Sequence, residues 1–81
     1  MSSKYDTTET LDVKGLSCPM PIVRTKQAID ELSVGDSLEV ISTDSGSMSD
    51  IRGWATATDG VELLDQREDG DNYLHYVKKI D

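Results

Sequence analysis

From Glu9 to Lys14 polar and apolar residues alternate, with Leu11 and Val13 on one side, the two-residue period of a half-buried strand. Gly15 to Ser17 breaks that pattern. From Pro19 to Leu32 the period becomes helical. At about 100° per residue, Ile22, Thr25, Ala28, Ile29 and Leu32 share one face, with Arg24, Lys26, Gln27, Asp30 and Glu31 on the flanks and outside. Ser33 to Asp36 is the stop, with Gly35 available for a left-handed residue. Ser37 to Thr43 reads as a second strand carrying Leu38, Val40 and Ile41, and Asp44 to Gly46 turns the chain. Ser47-Met48-Ser49-Asp50 then has the spacing of a capping box. Met48, Ile51, Trp54, Ala55 and Thr58 fall on one helical face behind it, and Gly53 lies opposite. Asp59-Gly60 ends this helix. Val61 to Asp69 and Tyr73 to Ile80 read as strands around Gly70-Asp71-Asn72, a hairpin signal.

The order is therefore β-α-β-α-β-β. Two helices with one apolar face each and four strands predict an α+β fold, a two-layer sandwich with both helices on one face of a mixed sheet. Residues 1–8 are polar and expected to be flexible, and 9–81 form a single domain. A chain of 81 residues buries only about two thirds of the surface its unfolded form exposes. With no Phe, the core must come from Leu, Ile, Val, Met and Trp54. A deep, water-excluding cavity is hard to build from so little, so any chemistry is expected near the surface.

Charge narrows the partners. The formal net charge is −8, and it is uneven: residues 36–81 hold eleven acidic and four basic side chains, residues 1–35 only five and four. Lys14, Arg24 and Lys26 all lie in that near-neutral first part. Phosphate backbones are bound by clustered Lys and Arg, so direct nucleic-acid binding is not expected. A single Cys rules out an internal disulfide, and one Cys with one His cannot supply the ligands of a metal site. The start of the chain lacks the apolar stretch of a signal peptide, and no apolar run approaches the roughly 18 residues of a membrane span. These features point to a cytoplasmic protein without metal or cofactor, with nothing demanding more than a monomer.

The chemistry is concentrated in Gly15-Leu16-Ser17-Cys18-Pro19-Met20-Pro21, where strand gives way to helix. Two prolines in three residues would disrupt a helix interior, but the first turn tolerates them because its amides have no intrahelical partner. With Cys18 as N-cap, Pro19 and Pro21 become the first and third helical residues. A residue before proline avoids the α region, so a start at Pro21 is the other arrangement. In both, Cys18 sits in a stiff turn at a helix N-terminus, where the dipole favours the nucleophilic thiolate. The motif holds no acid or base, and His75 lies far away in the last strand, read as a plain strand residue. An activated thiol without proton-transfer machinery suits passing a group between proteins. Met20 and Val23 point away from the core face as exposed apolar residues, and with Arg24 and Lys26 they form a candidate docking surface.

The run from Leu11-Asp12 through Gly15-Leu16 to Cys18-Pro19-Met20-Pro21 resembles the TusA (SirA-like) sulfur-carrier family, whose signature is Cys-Pro-x-Pro after a short first strand. Asp50-Ile51-Arg52-Gly53-Trp54 resembles that family's second helix, with Arg52 in place of a frequent Pro. Ala55 stands where some relatives carry a second Cys. The resemblance spans about residues 9–80. It implies a persulfide carrier in which Cys18 holds sulfane sulfur, Pro19 and Pro21 shape its turn after Gly15, and Arg24 and Lys26 match the basic helix face used for partner docking. The implied donors are cysteine desulfurases or rhodanese-type proteins. The implied acceptors are sulfurtransferases such as DsrE-type proteins, serving tRNA thiolation, molybdenum-cofactor supply or sulfur oxidation. Two other readings compete with this one: a binding or regulatory module for RNA or protein, and a redox sensor in which Cys18 is oxidised. The same two-layer arrangement also resembles the ribosomal-RNA-binding domain of a translation initiation factor, against which the acidic charge weighs.

Overall fold

The computed structural model describes residues 7–17 and 19–81. The elements are β1 (Glu9–Asp12), α1 (Met20–Asp30), β2 (Ser37–Ser42), α2 (Ser47–Ala57), β3 (Val61–Asp69) and β4 (Asn72–Lys79). The four strands form one mixed sheet in the order β1-β2-β4-β3. β1 runs parallel to β2, with Leu11 opposite Val40. β4 is antiparallel to both β2 and β3. It lies between β2 and β3, which run in the same direction, so the second β-α-β unit is split by the final strand. The expected α+β sandwich is the architecture found.

Alternation along the strands separates the two faces of the sheet. Leu38, Val40 and Val77 face the helices and join Val13, Ile29 and Ile51 in the buried core. The helices contribute the faces their periodicity assigns: Thr25 and Ile29 from α1, Ile51 and Ala55 from α2, all buried. Ile22, Ala28, Leu32 and Trp54 pack around this centre half-buried. Gly53 is exposed on the far side of α2. The opposite face of the sheet carries Glu39 and Tyr76, and the Tyr76 hydroxyl donates to Glu39 Oε2 at 2.8 Å.

The structure departs from the sequence reading at several local points. α1 begins at Met20 with Pro19 as N-cap, one position later than a Cys18 cap requires, and Pro21 is its second residue. The hairpin is tighter than the three residues Gly70-Asp71-Asn72: Asn72 already pairs with Asp69, and Gly70 takes φ +63° to close a two-residue turn. Between Leu63 opposite Val77 and Asp65 opposite Tyr76 the register shifts, so Leu64 is the extra residue of a β-bulge.

At the other end of the sheet an open groove of about 480 Å³ lies between the end of α2, the start of β3 and Ile80. Among the described residues, no helix is long and apolar enough to cross a membrane.

Candidate functional site: the loop between β1 and α1

The first β-α connection is built by a short series of backbone bonds. Buried Val13 extends the β1–β2 pairing one step, its N–H donating to the Ile41 carbonyl at 2.9 Å. The Leu16 N–H then donates to the Val13 carbonyl at 3.1 Å, closing a four-residue turn. Gly15 occupies the third place of that turn with φ +83°. A Cβ at Gly15 would meet nothing within 4 Å, so conformation and not space demands glycine there. The Gly15 N–H is taken by Thr43 Oγ1 at 2.9 Å, and the Lys14 N–H by Asp12 Oδ1 at 2.9 Å. Leu16 packs half-buried against the core, anchoring the loop from below.

Cys18, which the sequence predicts to be accessible at the helix start, lies outside the described residues. Its covalent neighbours Ser17 and Pro19 are both exposed. The Ser17 carbonyl accepts from the Met20 N–H at 2.9 Å, and the Pro19 carbonyl accepts from both Ile22 and Val23 N–H at 3.1 Å. Pro19 (φ −96°, ψ 12°) caps α1 without any side-chain hydrogen bond, and no acidic residue stands in the first turn. Pro21 is buried, and its carbonyl accepts from the Thr25 hydroxyl at 2.7 Å. The two prolines thus act differently. Pro19 ends the loop on the surface, while Pro21 fixes the first turn of the helix against the protein.

Met20 and Val23 are each 38% exposed, and Arg24 and Lys26 are exposed beside them. Helical geometry points Met20 and Val23 outward, with Arg24 and Lys26 on the two flanks of that face. The motif residues Gly15, Pro19 and Pro21 lie just before this face, in the loop and the first turn of α1.

A second polar feature was missed in the sequence. His75 is fully buried on the helix-facing side of β4. Its Nε2 is 3.0 Å from Ser47 Oγ, and its Nδ1 is 3.1 Å from Gln66 Nε2. Gln66 Nε2 also donates to the Met48 carbonyl at 2.7 Å, which identifies that end of the amide as the donor. His75 Nδ1 is then the acceptor, and Nε2–H donates to Ser47. Burial lowers the His75 pKa from 6.5 to about 4, so the ring is neutral at pH 7. The capping box expected at Ser47 does not form. Gly46 is the N-cap of α2, and Ser47 turns its hydroxyl inward to His75. His75 is in phase with Val77, and that alternation was the one available sign that it points inward.

Comparison with known proteins adds a family to this geometry. The sequence model of the family described as sulfurtransferase TusA matches residues 9–79. A putative sulfur carrier protein of Halobacterium salinarum is 68% identical over 79 residues, covering 98% of both chains. The sulfur carrier protein TusA of Allochromatium vinosum is 40% identical over 74 residues, covering 91% of this chain and 96% of its own. A SirA-like protein from Desulfitobacterium hafniense has the same fold, with a TM-score of 0.72 at 24% identity over 90% of this chain and 99% of its own. The chain belongs to the TusA family, and a sulfur-carrier role follows from that membership.

Proposed function

We propose that this TusA-family protein carries sulfane sulfur as a persulfide on Cys18, the sulfur-bearing residue of a Cys-Pro-Met-Pro motif. The observation that supports this most directly is the α1 start beside the cysteine. Its N-cap Pro19 supplies no side-chain hydrogen bond and its first turn has no carboxylate, so no acid in that turn opposes a thiolate next to it. The Cys18 thiolate attacks the outer sulfur of a donor persulfide, the donor's S–S bond breaks, and the donor leaves as a thiolate. The reverse displacement by an acceptor thiolate returns Cys18 to its starting state, with no net oxidant consumed.

Proton transfer is left to partner and solvent, because Cys18 has no histidine beside it in sequence and His75 is sealed in the interior. Met20 and Val23 supply apolar contact for a transient partner, with Arg24 and Lys26 steering its approach. The donor is a cysteine desulfurase or a rhodanese-type protein. The acceptor is a sulfurtransferase in tRNA thiolation, molybdenum-cofactor supply or sulfur oxidation, reached in the cytoplasm.

Intact mass after incubation with a cysteine desulfurase and free cysteine tests the reading. Wild type is expected to gain one sulfur atom, to lose it on reduction, and to show no gain as Cys18→Ala. No gain from the desulfurase, nor from a rhodanese with thiosulfate, would overturn it.

A further inference from the structure

β1 and β2 pair in parallel, and in this register the donors along β1 alternate regularly. Val13 N–H reaches the Ile41 carbonyl, and the next donor of the same phase is Gly15. Continued pairing would bring that N–H to the carbonyl of Thr43. It is bonded instead to the Thr43 side chain, at 2.9 Å. A hydroxyl replaces the backbone carbonyl of the same residue at the step where the chain leaves the sheet.

Thr43 is itself held. Ser42, fully buried before it, accepts the Asp44 N–H on its hydroxyl at 3.1 Å. Asp44 Oδ1 accepts the Gly46 N–H at 3.2 Å, and the Asp44 carbonyl accepts the Ser47 N–H at 2.9 Å. The hydroxyl is thus presented from a closed turn. It binds the residue of the loop with the greatest backbone freedom, since Gly15 is a glycine at positive φ with open space around it.

We propose that Thr43 is a positioning residue for the Cys18 thiol, fixing through the Gly15 N–H where the chain departs from the sheet three residues before the cysteine. The inference rests on Cys18 being the sulfur-bearing group. Thr43→Val removes the hydroxyl at nearly constant shape, and Thr43→Ser retains it. Two readouts separate positioning from stability: the pH profile of alkylation by iodoacetamide, and persulfide loading from inorganic polysulfide followed by intact mass. In the loading step the thiolate takes a sulfur from the polysulfide, whose S–S bond breaks to release a shorter polysulfide anion.

Thr43→Val is expected to slow alkylation at neutral pH by about two- to ten-fold, the span of one hydrogen bond. The pH profile of the reaction should differ from that of wild type, loading should slow in step, and Thr43→Ser should restore all three. A valine variant with the wild-type profile would overturn the positioning role, and so would a serine variant that fails to restore it. If wild type itself takes up no sulfur while the valine variant still shifts the profile, the carrier reading falls and the positioning of the thiol stands.

Discussion

The two helices start at the same edge of the sheet, each following the end of one of two parallel strands, and neither has a side-chain cap. Their surroundings are opposite. At α2 the first turn holds Asp50, the Gly46 N–H is bonded to the Asp44 carboxylate, and Ser47 is buried on His75. At α1 the first turn holds no acid, and Pro19 and Met20 stand in solvent. One helix start is neutralised and sealed, and the other is left electropositive and open. In a chain with twice as many acids as bases, the lack of carboxylates in one helix turn is what distinguishes the α1 start from its neighbour.

The strongest way to break the contrast is to charge the sealed end. His75 is ordinary in the unfolded chain at 6.5 and depressed to about 4 in the folded one, so as pH falls the unfolded state takes up its proton first. The His75 contribution is present in full above pH 6.5 and is lost as pH drops toward 4, about 3 kcal/mol in all. Urea unfolding of wild type against His75→Asn across that range measures it. The difference between the two should shrink steadily with acid, and parallel curves would refute the assignment. The loss should be felt first at the α2 start, where Ser47 meets the ring and Gln66 ties it to the Met48 carbonyl.

Ser47→Ala is the next test. It leaves the His75 Nε2–H buried without its acceptor and should cost about 1–3 kcal/mol in unfolding free energy at neutral pH. Urea unfolding at neutral pH measures the loss, and an unchanged free energy in the variant would refute the inward bond.

The smallest expected effect comes from making the open end resemble the sealed one. Met20→Glu puts a carboxylate in the α1 first turn, on an exposed side chain where the fold should not suffer. A dipole and charge effect of about 0.3–1 kcal/mol corresponds to a two- to five-fold slower alkylation of Cys18 at neutral pH, fading with added salt. An unchanged rate would mean that the helix start does not act on the thiol.

The sequence pattern made the periodic parts of the molecule legible. Six elements, both helical faces, the exposed Met20–Val23 stripe and the mixed sheet follow from spacing alone, because period and burial are the same physical fact seen twice. What escaped depends on partners distant in sequence. Ser47 has the choice of capping its own helix or bonding a histidine 28 residues on, and only the folded sheet decides it. Gln66 reaches His75 across a strand pair whose register is offset by Leu64, and no local pattern announces a bulge. The start of α1 was misread by one residue because proline geometry restricts a helix boundary without selecting it. Gly15 was recognisable as a loop residue, whereas its bond to Thr43 required knowing that the two strands lie parallel.

The bulge at Leu64 has a bearing on how this protein meets others. β3 is an outer strand of nine residues, long enough to template an added strand from another chain. The inserted residue bends it and interrupts the regular spacing of its outward amides and carbonyls, and Glu62, Asp65, Glu68 and Asp69 line its length. A second copy aligning along this border would meet mismatched hydrogen bonds and like charges. Lateral strand addition along β3 is thereby discouraged, and an encounter with another chain finds no ready-made ladder on that border.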